Sequence, residues 1–373
     1  MPWTKTYGNK TEFEKAGGAA AGLRGLTYKE ALHEATAQML EADKDVFVMG
    51  EGVDDAGGVF GSTKGLHLRF GRERVMDTPL AENALTGIAI GAALTGMRPI
   101  FVHMRVDFVP LTMDQLINHA AKWHYMFGGA VSVPMTIRSI IGRGWGSAGQ
   151  HSQSLQSLFT HAPGVKVVMP ANPYDAKGLL RSAVYDGNPV IFIEHRWLYD
   201  HVGHVPEKPY TVPIGKGIIR RQGSDVTIIA LSLMVFEAMQ AAEALAAEGI
   251  DAEVIDLRAL KPLDTPLILE SVRKTGRLVV ADTGWQTCGI GAEIIANITE
   301  EAFGALKAAP VRINLPECPT PASPALEKLY YPGKDEIIAA ARKTLKARHD
   351  ATQFSPRIAR QGHRGIEKRG DRP

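Results

Sequence analysis

The chain has little cysteine, no long apolar run and no excess of one charge, and each shortage excludes a class of protein. Its two cysteines, Cys288 and Cys318, make neither a disulfide framework nor a metal-ligand spacing, which fits a reducing cytoplasm. No stretch approaches the ~20 apolar residues of a membrane span. The N-terminal MPWTKTYGNKTEFEK lacks the hydrophobic segment of a secretory signal, so a cytoplasmic protein with no membrane partner is expected. Lysine and arginine number 42 against 40 acidic residues, and the net charge of +2 describes an ordinary globular protein. The exception is RKTLKARHDATQFSPRIARQGHRGIEKRGDRP at the end, which is basic and poor in apolar residues. Residues 346–373 are therefore expected to form a disordered, solvated tail. With no nucleic-acid-binding motif and no interleaved aromatics, no nucleic-acid partner is expected.

Several catalytic signatures are missing as well. The loop GVDDAGGVFGSTKGL is too long and loose for a phosphate-binding P-loop. CGIGAEI, from Cys288 to Ile294, opens a helix but lacks the third glycine of a dinucleotide fingerprint. There is no HExxH, and His119 and His124 are five apart, on different faces of a helix. No GxSxG occurs, which disfavours acyl transfer through serine.

What is present is alternation. After an irregular arm, residues 1–25, an amphipathic helix in TYKEALHEATAQMLEADKD leads to the buried strand VFVMGEG. Strands at RPIFVHM, VPMTIRS, VKVVMP and PVIFIEH then alternate with helices at 83–96, 112–126, 153–159 and 174–186. Such alternation argues for an α/β domain, 26–200, built on a parallel sheet covered on both faces. A linker rich in proline and glycine follows at 201–217. A second α/β domain, 218–345, reads as strands DVTIIAL, DAEVIDL, RLVVAD and VRINLP separated by helices.

Two stretches invite a functional reading. In DTPLAENALTGIAIGAALTGMRPI, Glu82 stands at the mouth of a helix of small and apolar residues that reads as buried. Glu82 could be a first-turn acid favoured by the helix dipole, or a carboxylate held at an apolar wall to hydrogen-bond a cofactor. Gly87, Gly91 and Gly96 cost helix stability, so they are expected to admit close approach of another backbone. In GSAGQHSQSLQSLFTHAPG, His151 stands in a loop before a helix, and His161 at that helix's end.

Taken together, GEGV at 50–53, DTPLAENALTGIAIGAALTGMRPI, MDQLINHAAKWHYMFGG, GQHSQSLQSLFTHAPGVKVVMPANPYDAKGLLRSA and NPVIFIEH resemble one family. In the second half VIDLRALKPLDTPLILESVRKTGRLVVAD, GIGAEI and PALEKLYYP do the same. The chain from about residue 25 to 345 resembles the beta subunit of the decarboxylating first component of 2-oxo acid dehydrogenase complexes, pyruvate dehydrogenase type. These are transketolase-like thiamine-diphosphate enzymes with a pyrimidine-binding domain and a transketolase C-terminal-like domain.

The resemblance implies roles for particular residues. The carboxylate at Glu82 hydrogen-bonds N1′ of the cofactor's aminopyrimidine and favours the tautomer whose 4′-nitrogen takes the thiazolium C2 proton. Phe108 falls where the family places an aromatic ring against the aminopyrimidine. His151 matches a histidine at the substrate end, implicated in binding and in acyl transfer to lipoamide; an imidazole suits that task near neutral pH. A loop that holds potassium in some members corresponds to Met135, Ala183, Asp186 and Asn188. Members bind the cofactor diphosphate through Mg²⁺ and a GDG motif, which this chain lacks. An alpha subunit is therefore expected to complete the site in an α₂β₂ heterotetramer, docked on a dihydrolipoyl acyltransferase core. The expected activity is oxidative decarboxylation of a small 2-oxo acid; half of a split transketolase or a carboligase acting on an aldehyde is the alternative.

The chain departs from the family pattern in three places. His103, Arg105 and Asp107 replace less charged residues, Trp285 and Cys288 occupy a loop that is more often smaller, and Ala322 stands where tyrosine is common. Arg105, three residues before Phe108, is accordingly a candidate for the substrate pocket, where a guanidinium would favour an anionic or polar substrate. Pairing with Asp107 is its structural alternative.

Overall fold

The first half is organised by six short parallel strands whose side chains are mostly buried on both faces. In the computed structural model, which describes residues 2–142 and 146–346, these strands lie side by side. Their spatial order is Lys166–Val168, Val190–His195, Thr136–Ile141, Arg98–His103, Val46–Gly50 and Val75–Asp77. An edge strand, Ala259–Lys261, comes from the second half and pairs antiparallel with Lys166–Val168, setting Ala259 opposite Val168. One face is covered by helices Tyr28–Ala42 and Pro173–Val184. Tyr28–Ala42 starts at a capping box in which Thr27 and Glu30 exchange hydrogen bonds. Pro173–Val184 starts at Asn172, whose side chain accepts the Asp175 N–H, with proline in the first turn.

The second half is a smaller sheet in the order Ile218–Arg221, Ala252–Asp256, Val226–Ala230, Leu278–Trp285 and Val311–Leu315. It is parallel except at the Ile218–Arg221 edge. Charged groups tie the halves together. Arg220 Nη2 lies 2.6 Å from both Asp175 and Asp256, and Arg258 lies 2.8 Å from Asp175, all four side chains being buried. Gln156 Nε2 donates to Asp282 Oδ1 at 2.6 Å, and the Ile290 N–H donates to Ser157 Oγ at 2.9 Å.

Three local expectations change. The arm is not irregular: Thr6–Tyr7 and Gly25–Thr27 flank Val202–His204 in a small antiparallel sheet. Between them helix Lys10–Lys15 buries Phe13 against Tyr7. The pairing partner lies about 200 residues away, so local sequence carries no sign of it. The helix expected at 112–126 is present from 113 to 126, with a π-helical turn Gln115–Ala120 set into it, but a 3₁₀ segment Val106–Thr112 containing Pro110 precedes it. Proline removes a backbone donor and tightens the first segment.

The helix Glu82–Leu94 is buried on one side only. Thr86, Ala89, Ile90 and Ala93 face the core, while Ile88 is 61% exposed and Leu80, just before the helix, 78%. Its uniform apolarity hides which side meets the sheet. Gly96 admits no neighbouring backbone: it sits just past the helix at φ +98°, and no atom lies near the place of a Cβ. Gly96 N–H bonds the Ala93 carbonyl and Met97 N–H the Ala92 carbonyl, so the glycine closes the helix through a left-handed cap. Of the segments expected to form the basic tail, residues 347–373 lie outside the described residues.

Candidate active site

Parallel α/β sheets bind ligands beyond the carboxyl ends of their strands. Three such ends converge here. Glu51 follows Val46–Gly50, Thr78 and Pro79 follow Val75–Asp77, and His103 and Met104 close Arg98–His103. Together with Glu82, Leu85 and Phe108 they line one narrow pocket. Glu82 opens its helix after Ala81, which makes no side-chain cap, and its carboxylate is half-buried at the pocket's edge. On its outer side Glu82 borders a cleft of about 560 Å³ with Asn83, Gly87, Leu111 and Gln115.

The electrostatics of the pocket are unusual for so apolar a wall. Burial raises the pKa of Glu51, and the nearby Glu82 and Asp77 carboxylates raise it further. Asp77 is held by the Gly52 N–H, 2.7 Å from its Oδ1. His103 is 4% exposed, lies tilted at 46° against the Phe101 ring with centroids 4.2 Å apart, and burial lowers its pKa to about 4, so it is neutral at pH 7. Its Nε2 is buried without a hydrogen-bond partner. A carboxylate at one edge and an unsatisfied imidazole nitrogen in an apolar wall are groups that a polar heteroaromatic ring would meet by hydrogen bonding. The aminopyrimidine of thiamine diphosphate has that character.

Phe108 lies on the 3₁₀ segment directly after the strand end and packs edge-to-face with His151, ring centroids 5.2 Å apart and planes at 77°. Glu82, Phe108 and His151 thus fall at one end of the first sheet. Arg105 does not line the pocket. It is 7% exposed, donates from Nη1 to the Gly142 carbonyl at 2.7 Å and faces the Phe60 ring at 5.7 Å. Burial lowers its pKa, with Asp107 opposing the shift. Asp107 instead accepts the Gln153 N–H at 3.1 Å, and its own pKa is raised by burial.

The remaining candidates lie elsewhere. Met135 and Ala183 are buried, and their carbonyls accept the N–H groups of Val190 and Asp186. Asp186 accepts from the Asn188 N–H at 3.0 Å and from the Lys166 ammonium at 2.5 Å. This corner already holds one cation, the lysine. Among the described residues no cluster of three or more His, Cys, Asp or Glu could hold a metal ion. Trp285 and Cys288 line a cavity of about 1110 Å³ between the halves, where Trp285 donates to Tyr330 Oη at 3.2 Å. Ala322 is exposed in the loop before helix Pro324–Tyr330.

Sequence alone assigns Glu51 no role, although it follows a buried strand ending in glycine. It marks His103 only as one of the charged departures from the family pattern, not as a wall of the pocket.

A two-sheet α/β protein with a carboxylate facing an apolar slot at the strand ends defines a transketolase-like class. Residues 24–201 match the transketolase pyrimidine-binding domain and residues 215–337 the transketolase C-terminal domain. The chain is 49% identical over 333 residues to the beta subunit of acetoin:2,6-dichlorophenolindophenol oxidoreductase from Cupriavidus necator, covering 87% of this chain and 98% of the relative. It is 43% identical over 318 residues to the pyruvate dehydrogenase E1 component beta subunit of Rickettsia felis, covering 85% and 98%. A solved split-gene transketolase described as an inactive β4 tetramer superposes with a TM-score of 0.70 at 25% identity, covering 86% and 99%. The chain belongs to the family of E1-type beta subunits with transketolase-like, thiamine-diphosphate-type domains. No helix among the described residues is long and apolar enough to cross a membrane.

Proposed function

We propose that the chain is the beta subunit of a thiamine-diphosphate-dependent 2-oxo acid dehydrogenase and holds the pyrimidine half of the cofactor. The observation that carries this is the convergence of Glu82, Phe108 and His103 on one slot, in a chain without a GDG motif. When bound, thiamine diphosphate supplies the carbon nucleophile and electron sink for decarboxylation. Glu82 is the acceptor for the proton shared with N1′, and the apolar wall behind it strengthens that hydrogen bond by excluding water. Phe108 offers a ring face for stacking, and His151 beside it takes up or supplies a proton at the substrate carbonyl end.

An alpha subunit supplies the Mg²⁺-diphosphate half in an α₂β₂ heterotetramer, which docks on a dihydrolipoyl acyltransferase core in the cytoplasm. The exposed Leu80, Ile88 and Leu111 beside Glu82 are the kind of apolar surface such a partner covers. The loop of Met135, Ala183, Asp186 and Asn188 does not fit potassium as it stands, because the Lys166 ammonium already neutralises Asp186 and the Met135 and Ala183 carbonyls accept backbone N–H groups. Arg105 has no assigned contact with substrate, because its guanidinium is spent on Gly142.

A second reading concerns the substrate. The Cupriavidus relative is named for acetoin, an α-hydroxyketone, so cleavage of such a ketone is the runner-up to decarboxylation. A panel of pyruvate, branched 2-oxo acids and acetoin, offered to the assembled enzyme with and without lipoamide, decides between them. The lone chain is expected to bind the cofactor weakly and turn nothing over. Tight cofactor binding and turnover by the purified chain alone would overturn the two-subunit reading.

A further inference from the structure

Arg105 and Asp107, two charges placed next to an apolar pocket, point away from it. Both instead reach toward the segment that carries His151. Arg105 Nη1 donates to the Gly142 carbonyl at 2.7 Å, and Asp107 Oδ1 accepts the Gln153 N–H at 3.1 Å, two residues beyond His151. Phe108, the next residue, meets the His151 ring itself at 5.2 Å. Asp107 and Phe108 thus contact the chain at and just after His151, while Arg105 holds Gly142, nine residues before it.

We infer that Asp107 and Arg105 are positioning residues for His151, with Asp107 fixing the chain directly after the imidazole and Arg105 fixing it upstream. The inference rests on the reading that His151 acts on the substrate. The physical argument is one of geometry. His151 stands in a loop outside helix Gln156–Thr160, so no regular hydrogen-bond ladder sets its direction. Neither of its neighbours, Gln150 or Ser152, makes a side-chain bond that would do so; Ser152 Oγ is buried without a partner. Both anchors lie largely out of water, Arg105 being 7% exposed and Asp107 half-buried, so solvent competes little for the backbone groups they meet. Because Phe108 belongs to the same short 3₁₀ segment, one rigid piece sets both the ring that faces the cofactor slot and the histidine beside it. That coupling gives the two charged residues a purpose that an apolar substrate pocket does not.

The test uses the full-length chain labelled at histidine, with the His151 ring signal assigned by its loss in His151→Asn. Asp107→Ala and Arg105→Met are each expected to displace the His151 signal and leave those of His119 and His204 in place. Asp107→Asn retains an acceptor for the Gln153 N–H and is expected to restore the signal, which also covers the case in which the alanine variant folds poorly. In the enzyme assembled with its alpha partner, the first two variants are expected to lower kcat by up to about a hundredfold, the scale of a small misplacement, while cofactor affinity stays unchanged. Asp107→Asn should recover most of that loss. An unmoved His151 signal, or a fall in kcat without a shift in the signal, would overturn the inference. His151→Ala, measured alongside, keeps the two readings apart. Full turnover by that variant removes the role of His151 itself. Lost turnover there, with Asp107→Ala silent in both readouts, removes only the anchor.

Discussion

The mouth of the Glu82 pocket and the joint between the two halves are both rich in charge, yet they are built in opposite ways. At the joint two buried carboxylates share cations: Asp175 meets Arg220 and Arg258, and Asp256 meets Arg220, while a third, Asp282, is held by the Gln156 amide. At the mouth Glu51, Asp77 and Glu82 lie near one another, burial and then the two neighbouring carboxylates raise the Glu51 pKa, and His103 Nε2 is unsatisfied. Apolar side chains differ in the same sense, since Leu80 and Ile88 stand in solvent beside the mouth. The joint pairs opposite charges within this chain, whereas the mouth gathers like charges and exposed apolar groups, which is the arrangement the proposed half-site calls for.

That contrast can be broken or sharpened by substitution. The largest effect belongs to the mouth. Glu82→Gln is expected to lower turnover of the assembled enzyme by about a hundredfold to ten-thousandfold, the range for a group that handles a proton. The same change should alter stability by only about 1 kcal/mol or less, because a first-turn acid contributes little to its helix. Steady-state kinetics and urea unfolding of one preparation give both numbers. At the joint the order reverses. Arg220→Met leaves Asp175 and Asp256 buried without their shared cation and should cost about 3–5 kcal/mol in unfolding free energy. A loss below about 1 kcal/mol would show that the joint is not what holds the halves.

The smallest effect is a pH dependence at the same joint. Asp282 is buried against Gln156, and burial raises its pKa to about 6 from 3.8. An acid whose folded pKa is raised holds its proton longer in the folded state. Its contribution to stability is therefore largest below pH 4 and declines as pH rises to about 6. Asp282→Asn removes the charge and keeps an acceptor for Gln156. It should stabilise the chain by about 1–3 kcal/mol at pH 8 and hardly at all at pH 4. Chemical denaturation at the two values checks the sign, and equal effects at both would remove Asp282 as the cause.

The same contrast explains what could be read from sequence. The strands of the first sheet were legible because buried apolar runs such as VFVMG and VIFIE alternate with helices of ordinary length. Glu82 could be singled out because one carboxylate stands at the mouth of a helix of small apolar residues; its role there belongs to the proposal. The arm was not legible, since its strands exist only through pairing with Val202–His204. Nor was the exposed side of helix Glu82–Leu94, whose mostly apolar sequence does not mark which side meets the sheet. Arg105 shows a third limit. Its place after the strand suggested the pocket, but the direction of one long side chain is decided by a carbonyl 37 residues further on.

Exchange of the cofactor's C2 proton, followed by NMR in the assembled enzyme, tests the central claim most directly, because it reads proton transfer before any substrate binds. With Glu82 as the hydrogen-bond partner of N1′, exchange in the Glu82→Gln enzyme is expected to slow by about a hundredfold or more with the cofactor still bound. An exchange rate equal to that of the unsubstituted enzyme would contradict the account and leave Glu82 a first-turn acid at the start of its helix.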